Sequence, residues 1–318
     1  MQDKPKMGSM FGGETGGGLF DIPLVPAGTI DDAAMVVMGV PVATPYQSVG
    51  AYCQDAADAI RAAFGWPGLL QHYDFDLGGP LLGDGVNAVD WGNLACDLQD
   101  FSYNRKLISD HVGDVLDNGA VPLVLGGDDS VPIPVLQAYE QHGPITVLQL
   151  DAHIDWRDEV QGERMGLSSN MRRASEMPWV SNIVQAGARG SGSARPEDFN
   201  DAVNWGVNFF PMKSIRAENM QKGIDAIIDA IAVGSDIYIA LDIDVMDPSV
   251  VPGVIGPAPG GFGYYDVLSI LEKLSTKARI VGFNLVEFMP SADIGNRGAL
   301  VSARIAASVM GLVARQRS

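Results

Sequence analysis

The chain has 318 residues, of which 21 are basic and 39 acidic, for a formal net charge of -18. That length is enough to bury a large core as one large α/β domain or two smaller ones, and the charge argues against nucleic acid or an anionic membrane as a partner. Two cysteines, Cys53 and Cys96, are too few for a disulfide scaffold, and their spacing matches no metal or redox motif.

Residues 1–30 are Gly-rich and weakly patterned and read as an extended arm that can drape over the body or a neighbour. They lack the apolar centre of a signal peptide, and no stretch reads as long enough for a membrane span, so a cytoplasmic protein is expected. Residues 34–40 (AMVVMGV) form a first strand, followed by a loop, ATPYQSVGAYC, and a helix over 54–64. A Gly/Pro/Asp-rich stretch to residue 93 contains one short strand near Val89. A helix over 103–118 ends at Gly119, and VPLVL at 121–125 is a strand leading into Gly126-Gly127-Asp128-Asp129-Ser130. A helix over 132–141 starts with prolines, where a missing N–H matters least. The run ITVLQL at 145–150 is a buried strand. A polar loop over 156–170, a short helix over 171–176, a strand over 183–187, a helix over 196–204 and a short strand over 207–210 follow. Ile224, Ile227, Ile228 and Ile231 mark the core face of one long helix over 214–232. The strand IYIAL at 237–241, a rigid Pro/Gly loop, a helix over 265–274, a strand over 280–286 and a helix over 299–312 complete the chain. Alternating strands and helices with long connections predict a three-layer α/β/α sandwich with a mostly parallel central sheet, organised as one domain over 31–318. Irregular spacing of the strand–helix pairs argues against a barrel.

Two strands end in dense acid. ITVLQL runs into Asp151-Ala152-His153-Ile154-Asp155, and IYIAL runs into Asp242-Ile243-Asp244. Alternate residues on a strand share a side, so Asp151, His153 and Asp155 are expected to converge at one strand end, and Asp242 and Asp244 at another. Bare carboxylates gathered in a cleft repel one another, and divalent cations remove that cost. Carboxylates plus one imidazole suit manganese first and nickel next. Glu287, like the acid clusters, falls at the carboxyl end of a strand, where open α/β sheets place their ligands.

DAHID at 151–155, DIDVMDP at 242–248, GGDDS at 126–130 and LVEFMP at 285–290, in this order and separation, resemble the ureohydrolase family of arginases, agmatinases and guanidino-acid hydrolases. GVP at 39–41, PGG at 259–261 and NMRRA at 170–174 extend the likeness over nearly the whole chain. The resemblance implies an arginase-like fold and two divalent metal ions, Mn2+ first and Ni2+ as runner-up, holding a bridging hydroxide. It further implies that Asp151 and Asp242 bridge the ions, that His153 and Asp244 complete one site, and that Asp155 serves the other and orients the hydroxide. Glu287 would face the guanidinium of a small cationic substrate. The reaction implied is hydrolysis of a guanidino C–N bond to urea, or a related product, and an amine, in a homo-oligomer, trimer or hexamer.

The chain departs from that pattern at chosen points. Asp129 stands where the family has a metal-ligating His, which makes the site of Asp129, Asp151, Asp155 and Asp242 all-carboxylate. Leu167 stands where the family has a second His, and leucine carries no proton. Ala43, Ala258 and Asn284 each replace a family acid, and TPYQSVGAYC replaces the Arg- and Gly-rich stretch that follows Ala43 in the family. These changes fit either an unusual substrate, such as an N-alkylated guanidine or a biguanide, or a noncatalytic homologous subunit of a hetero-oligomeric ureohydrolase. Tyr46, Tyr52 and Phe288 are expected to wall an alkyl substituent. His72 is a candidate to restore proton transfer if its loop folds over the site. Trp156 either stacks on a planar cation or packs at the base of its loop, and Arg157 either pairs with Asp158 or Glu159 or faces a partner. His111 and His142 are expected to be structural.

Overall fold

The structure is a computed structural model that describes residues 17–64, 66, 68–192 and 194–317. In chain order the elements are β1 (Met35–Gly39), α1 (Ala56–Ala63), β2 (Ala88–Asn93), α2 (Phe101–Asp117), β3 (Val121–Leu125), α3 (Pro132–Gln137), β4 (Ile145–Leu150), α4 (Asn170–Ser175), β5 (Val180–Ala186), α5 (Pro196–Trp205), β6 (Asn208–Phe210), α6 (Met212–Ile215), α7 (Met220–Asp229), β7 (Asp236–Asp242), α8 (Tyr264–Lys277), β8 (Arg279–Val286) and α9 (Arg297–Arg317). The strands form one sheet in the order β2-β1-β3-β8-β7-β4-β5-β6. Every ladder in it is parallel.

Strand alternation divides the core into two halves. Met35 and Val37 of β1 face a cluster built with Ile60 of α1, Ile227 of α7, Leu271 of α8 and Val309 of α9. Val36 and Met38 face the other side, with Val112 of α2, Ile133 of α3, Met171 of α4 and Ala202 of α5. The sheet is thus covered on both faces, the three-layer sandwich expected, and its central strands are apolar on both sides because neither side meets water.

Two local expectations need correction, and the course of part of the arm is defined. The helix foreseen over 214–232 is two helices, because Asn219 interrupts it and caps α7 by accepting from the backbone N–H of Lys222 at 2.9 Å. Gly223 lets α7 pack onto α6, since a Cβ there would lie 2.3 Å from the Ile215 carbonyl oxygen. Residues 17–30 do not trail away: Leu19, Phe20 and Ile22 are buried, and Leu24 bridges to Asp90 beside β2. The rest of the expected arm, residues 1–16, lies outside the described residues. Finally, one helix does have the length and apolarity of a membrane span: α9, with a mean hydropathy of 1.3. Of that apolar window 78% is buried inside the fold, packed against α1 and α8, so its apolar surface already has a partner.

The topology fixes where a site can form. The chain adds β1 and β2 on one side, returns to β3, then crosses β8 and β7 to reach β4. Leu125, Leu285, Leu241 and Leu150 stand in register across these four central strands. The residues just beyond them, at the carboxyl ends, are brought to one crevice.

Candidate metal and substrate site

Those four strand ends carry the acids singled out from sequence. Asp129 follows β3, Asp151, His153 and Asp155 follow β4, Asp242 ends β7 with Asp244 just after, and Glu287 follows β8. All but His153 are at least nine-tenths buried. The structure brings ligand atoms of Asp151, His153 and Asp244 within 4.8 Å of one another, and likewise those of Asp129, Asp151 and Asp242. Asp151 belongs to both groups. These are two overlapping candidate metal clusters. Asp155 completes neither triplet at that spacing but sits beside the second, its charge acting on Asp129.

The convergence does not come from strand pleating. β4 ends at Leu150, and the chain then turns through Asp155 at φ +43°. The segment after β7 is a short 3-10 turn in which Asp242 accepts from the backbone N–H of Asp244 at 2.7 Å. Glu287 also sits at φ +65°. Left-handed backbone is costly for such residues and persists where its surroundings enforce it. Gly187 at the end of β5 makes room for this turn, since a Cβ there would lie 2.5 Å from the Asp151 carbonyl oxygen.

Each carboxylate is held by donors. Asp151 accepts from the backbone N–H of His153 at 2.6 Å, and Asp244 accepts from that of Ala152 at 3.0 Å. His153 Nδ1 lies 2.9 Å from Asp244 Oδ2 and 3.4 Å from Asp151 Oδ1. Two ligands at right angles on bonds of about 2.1 Å stand roughly 3.0 Å apart, so this trio has the spacing of one coordination sphere. The donor set of imidazole and carboxylates suits a divalent ion of manganese or nickel type.

The electrostatics show what is missing. Burial raises Asp129, Asp155 and Asp242 well above the usual carboxylate range, and neighbouring carboxylates add to the rise. Burial also disfavours a charged His153, yet the bonds and charges of Asp151 and Asp244 push it up to about 12. Burial lifts Glu287 to about 8, although a hydrogen bond from Tyr52 works against it. Among the described residues, His153 is the one cationic side chain paired with the acids of the two clusters. Protons or cations must supply the rest of the positive charge.

Supporting residues complete the frame, and of these Gln149, Gln185 and Arg189 escaped the sequence reading, whereas Asn170 was expected to bind polar atoms. Gln149 of β4 donates to Asp151 Oδ2 at 2.7 Å and Asp155 Oδ2 at 3.2 Å. Gln185 of β5 donates to Gln149 Oε1 and to the Ile154 carbonyl at 2.8 Å, which fixes the way Gln149 points. A glutamine in a strand otherwise apolar but for Thr146 was a usable signal, because a buried amide needs a polar partner. Asn170 Nδ2 donates to the carboxylate of Asp129 and, at 2.8 Å, to its carbonyl. Arg189 binds the carbonyls of Asp244 at 2.7 Å and Ala258 at 2.8 Å, tying the loop after β7 to the Pro/Gly loop.

Above the acids lies a cavity of about 270 Å³. Its base is Asp129, Asp155, Asp242, Asp244 and Glu287. Half-buried Arg157, Val160, Leu167 and Ser168 form walls, and exposed Ile255 stands at the rim. The expected aromatic wall is not there. Phe288 is fully buried, Tyr46 meets the backbone N–H of Ser168 at 3.2 Å, and Tyr52 donates to Glu287. Trp156 packs edge-on against Trp205, the second of its two expected roles. Arg157 does not pair with Asp158, which Arg164 and Arg173 engage instead. His72 is exposed and absent from the cavity lining. His111 packs against Trp91, and His142 meets Asp117 at 3.1 Å.

A parallel α/β sheet whose central strand ends converge on overlapping acid clusters defines the class: an α/β protein with a candidate divalent-cation site on strand-end carboxylates. Comparison with known proteins narrows it. The arginase family profile matches residues 33–311. Proclavaminate amidinohydrolase from Streptomyces clavuligerus is 30% identical over 288 residues, covering 88% of each protein. Its solved structure matches this one with a TM-score of 0.83 at 27% identity, covering 96% of this chain and 98% of that one. The mitochondrial agmatinase of Gallus gallus is 30% identical over 225 residues, 70% of this chain and 65% of that protein. The chain belongs to the arginase family of ureohydrolases, as a divergent member.

Proposed function

We propose that this protein is a dinuclear-metal-dependent hydrolase of a C–N bond in a small guanidino compound, releasing urea or a related product and an amine. The observation that carries this reading is the sharing of Asp151 between two ligand groups directly beneath a cavity that also contains Glu287. Asp151, His153 and Asp244 would hold one ion, and Asp129, Asp151 and Asp242 the other, with Asp155 beside them. When bound, the ions supply a nucleophile at neutral pH by acidifying water. Asp155 accepts a hydrogen bond from that water and aims it, and Glu287 accepts an N–H of the guanidinium and fixes its carbon above the clusters.

The walls of Val160, Leu167 and Ile255 reward alkyl groups on the substrate, which favours an N-alkylated guanidine or a biguanide. The charge of Arg157 disfavours a second cationic group on the ligand. A clear preference for arginine or agmatine over methylated guanidines would rule that substrate class out. We place the protein in the cytoplasm as a trimer or hexamer.

One observation favours a second reading. Leu167 lines the cavity where the family places a histidine, so no proton carrier stands on that wall. On that reading the chain is the noncatalytic partner of a homologous subunit. Metal analysis beside urea release separates the two, using purified protein loaded with Mn2+ or Ni2+. Two ions with turnover support the hydrolase. Turnover that arises only on mixing with a homologue carrying both histidines supports the partner.

A further inference from the structure

Glu287 is hydrogen-bonded in a way that constrains how it can meet a ligand. The phenol of Tyr52 stands 2.6 Å from Oε1 and 2.8 Å from Oε2. A donor close to both oxygens lies across the open mouth of the carboxylate, the position that a guanidinium takes when it pairs through two parallel N–H groups. The backbone N–H of Asp129 donates to Oε1 at 2.8 Å. A carboxylate has about four acceptor positions. Oε1 has both of its positions filled, and Oε2 has one filled by the shared phenol. One acceptor is left.

Tyr52 itself is absent from the cavity lining, whereas Glu287 is part of it. The tyrosine therefore grips Glu287 from outside the ligand space. It lies on the loop between β1 and α1, and its neighbour Cys53 is buried in the core cluster with α1, so the loop is anchored close to the phenol. Burial, followed by the charge of Glu287, pushes the Tyr52 phenol up, which keeps it a donor.

We propose that Tyr52 is a specificity-determining residue that limits Glu287 to a single hydrogen bond from the substrate, so that the site gains nothing from a second, parallel N–H. This deepens the amidinohydrolase reading and rests on it for the identity of the ligand. The consequence is tolerance: alkylation that removes a parallel N–H costs a free carboxylate one of two bonds, but costs this one nothing. The loop that departs from the family pattern, ATPYQSVGAYC, is then the part of the chain that sets this tolerance.

The test is equilibrium binding to manganese-loaded protein of two cations, guanidinium and 1,1,3,3-tetramethylguanidinium, the second of which has no parallel pair of N–H groups. Wild-type protein is expected to bind the tetramethyl cation at least as tightly as guanidinium, because Glu287 gives each cation one hydrogen bond while the walls of Val160, Leu167 and Ile255 reward the methyl groups. Tyr52→Phe removes the phenol that holds the two-oxygen face of Glu287 away from the cavity, which frees the carboxylate to turn that face to the ligand, and it is expected to tighten guanidinium alone by about 5- to 10-fold, the scale of one added charge-assisted hydrogen bond after loss of some positioning. Tyr52→Phe with Glu287→Gln should lose that gain. Near-ultraviolet circular dichroism checks that the variants keep wild-type packing, and Tyr52→Leu provides a second way to remove the phenol. An unchanged ratio of the two cations in both single variants, or equal weakening of both cations, overturns the proposal. Binding reads Tyr52 whether or not urea is released, so a protein that binds as expected and releases no urea sinks the hydrolase reading alone.

Discussion

Replacing Gln149 with methionine removes the amide that grips the acid clusters from below while keeping side-chain length. Gln149 is 1% exposed and donates to both Asp151 and Asp155, and Asp151 serves both clusters. Loss of a residue that orients metal ligands costs about 10- to 100-fold in metal affinity, or about 1.4 to 2.7 kcal/mol. At a Mn2+ concentration 100 times the wild-type dissociation constant, binding stabilises the wild-type fold by about 2.7 kcal/mol. The same concentration stabilises a tenfold weaker variant by about 1.4 kcal/mol, and a hundredfold weaker one by about 0.4 kcal/mol. At roughly 2 °C per kcal/mol for a chain of this size, the Mn2+-induced rise in Tm falls from about 5 °C to about 3 °C or about 1 °C. Thermal melts with and without Mn2+, beside a calorimetric titration, measure both quantities. Equal Mn2+ affinity in the two proteins would refute the claim that Gln149 holds the ligands in place.

Three further outcomes are expected. Asp151→Asn strikes the carboxylate common to both clusters, so metal analysis of the purified variant should show loss of both ions; retention of one would mean that the clusters do not share a ligand. Asp129→His with Leu167→His restores both family histidines, and Leu167 already faces the cavity. It should raise metal retention more than rate, because Asn170 and the loop carrying Tyr52 remain as they are, and a fall in bound metal would contradict this. The last concerns acid. Ser249, through its hydroxyl and its backbone N–H, holds Asp247 down at about 2, with help from the backbone of Gly260, against about 3.9 in an unfolded chain. A depressed folded value stabilises the fold above about pH 4, and that stability is lost as pH falls towards 2. The Tm difference between wild type and Asp247→Asn should therefore shrink from pH 5 to pH 2, and a difference that stays constant would show that Asp247 contributes nothing through its charge.

The fold was legible where burial is two-sided. β3 and β4 were bounded to the residue, because VPLVL and ITVLQL are apolar on both faces and stop where the acids begin. β2 was barely visible, because Asp90 and Gly92 interrupt its apolar run; the buried Asp90 is tolerated through Arg61, which reaches it at 2.8 Å from α1. The acids that converge at the strand ends were legible because short motifs carry them. The residues that hold the ligands were not, because their meaning lies in contacts across the chain: Asn170 meets Asp129 at a separation of 41 residues, and Tyr52 meets Glu287 at 235.

That contrast bears on how the departures from the family are understood. Taken singly, the replacement of the segment after Ala43 reads as substrate tuning, and only together with the other departures does it point to an unusual substrate or a noncatalytic subunit. In three dimensions the same segment delivers a phenol to Glu287, a cavity carboxylate that belongs to neither ligand group. Asp129 is similar: it replaces an imidazole, yet the amide of Asn170 binds it and its own backbone N–H binds Glu287. Tyr52, Glu287, Asp129 and Asn170 thus form one connected chain of hydrogen bonds running from the altered loop to the second cluster. A decayed site would leave buried carboxylates such as these without donors, and the cost of an unpaired buried charge would select against keeping them. Here each has one, so the altered loop and Asp129 are knit into a single hydrogen-bonded frame rather than standing as isolated losses.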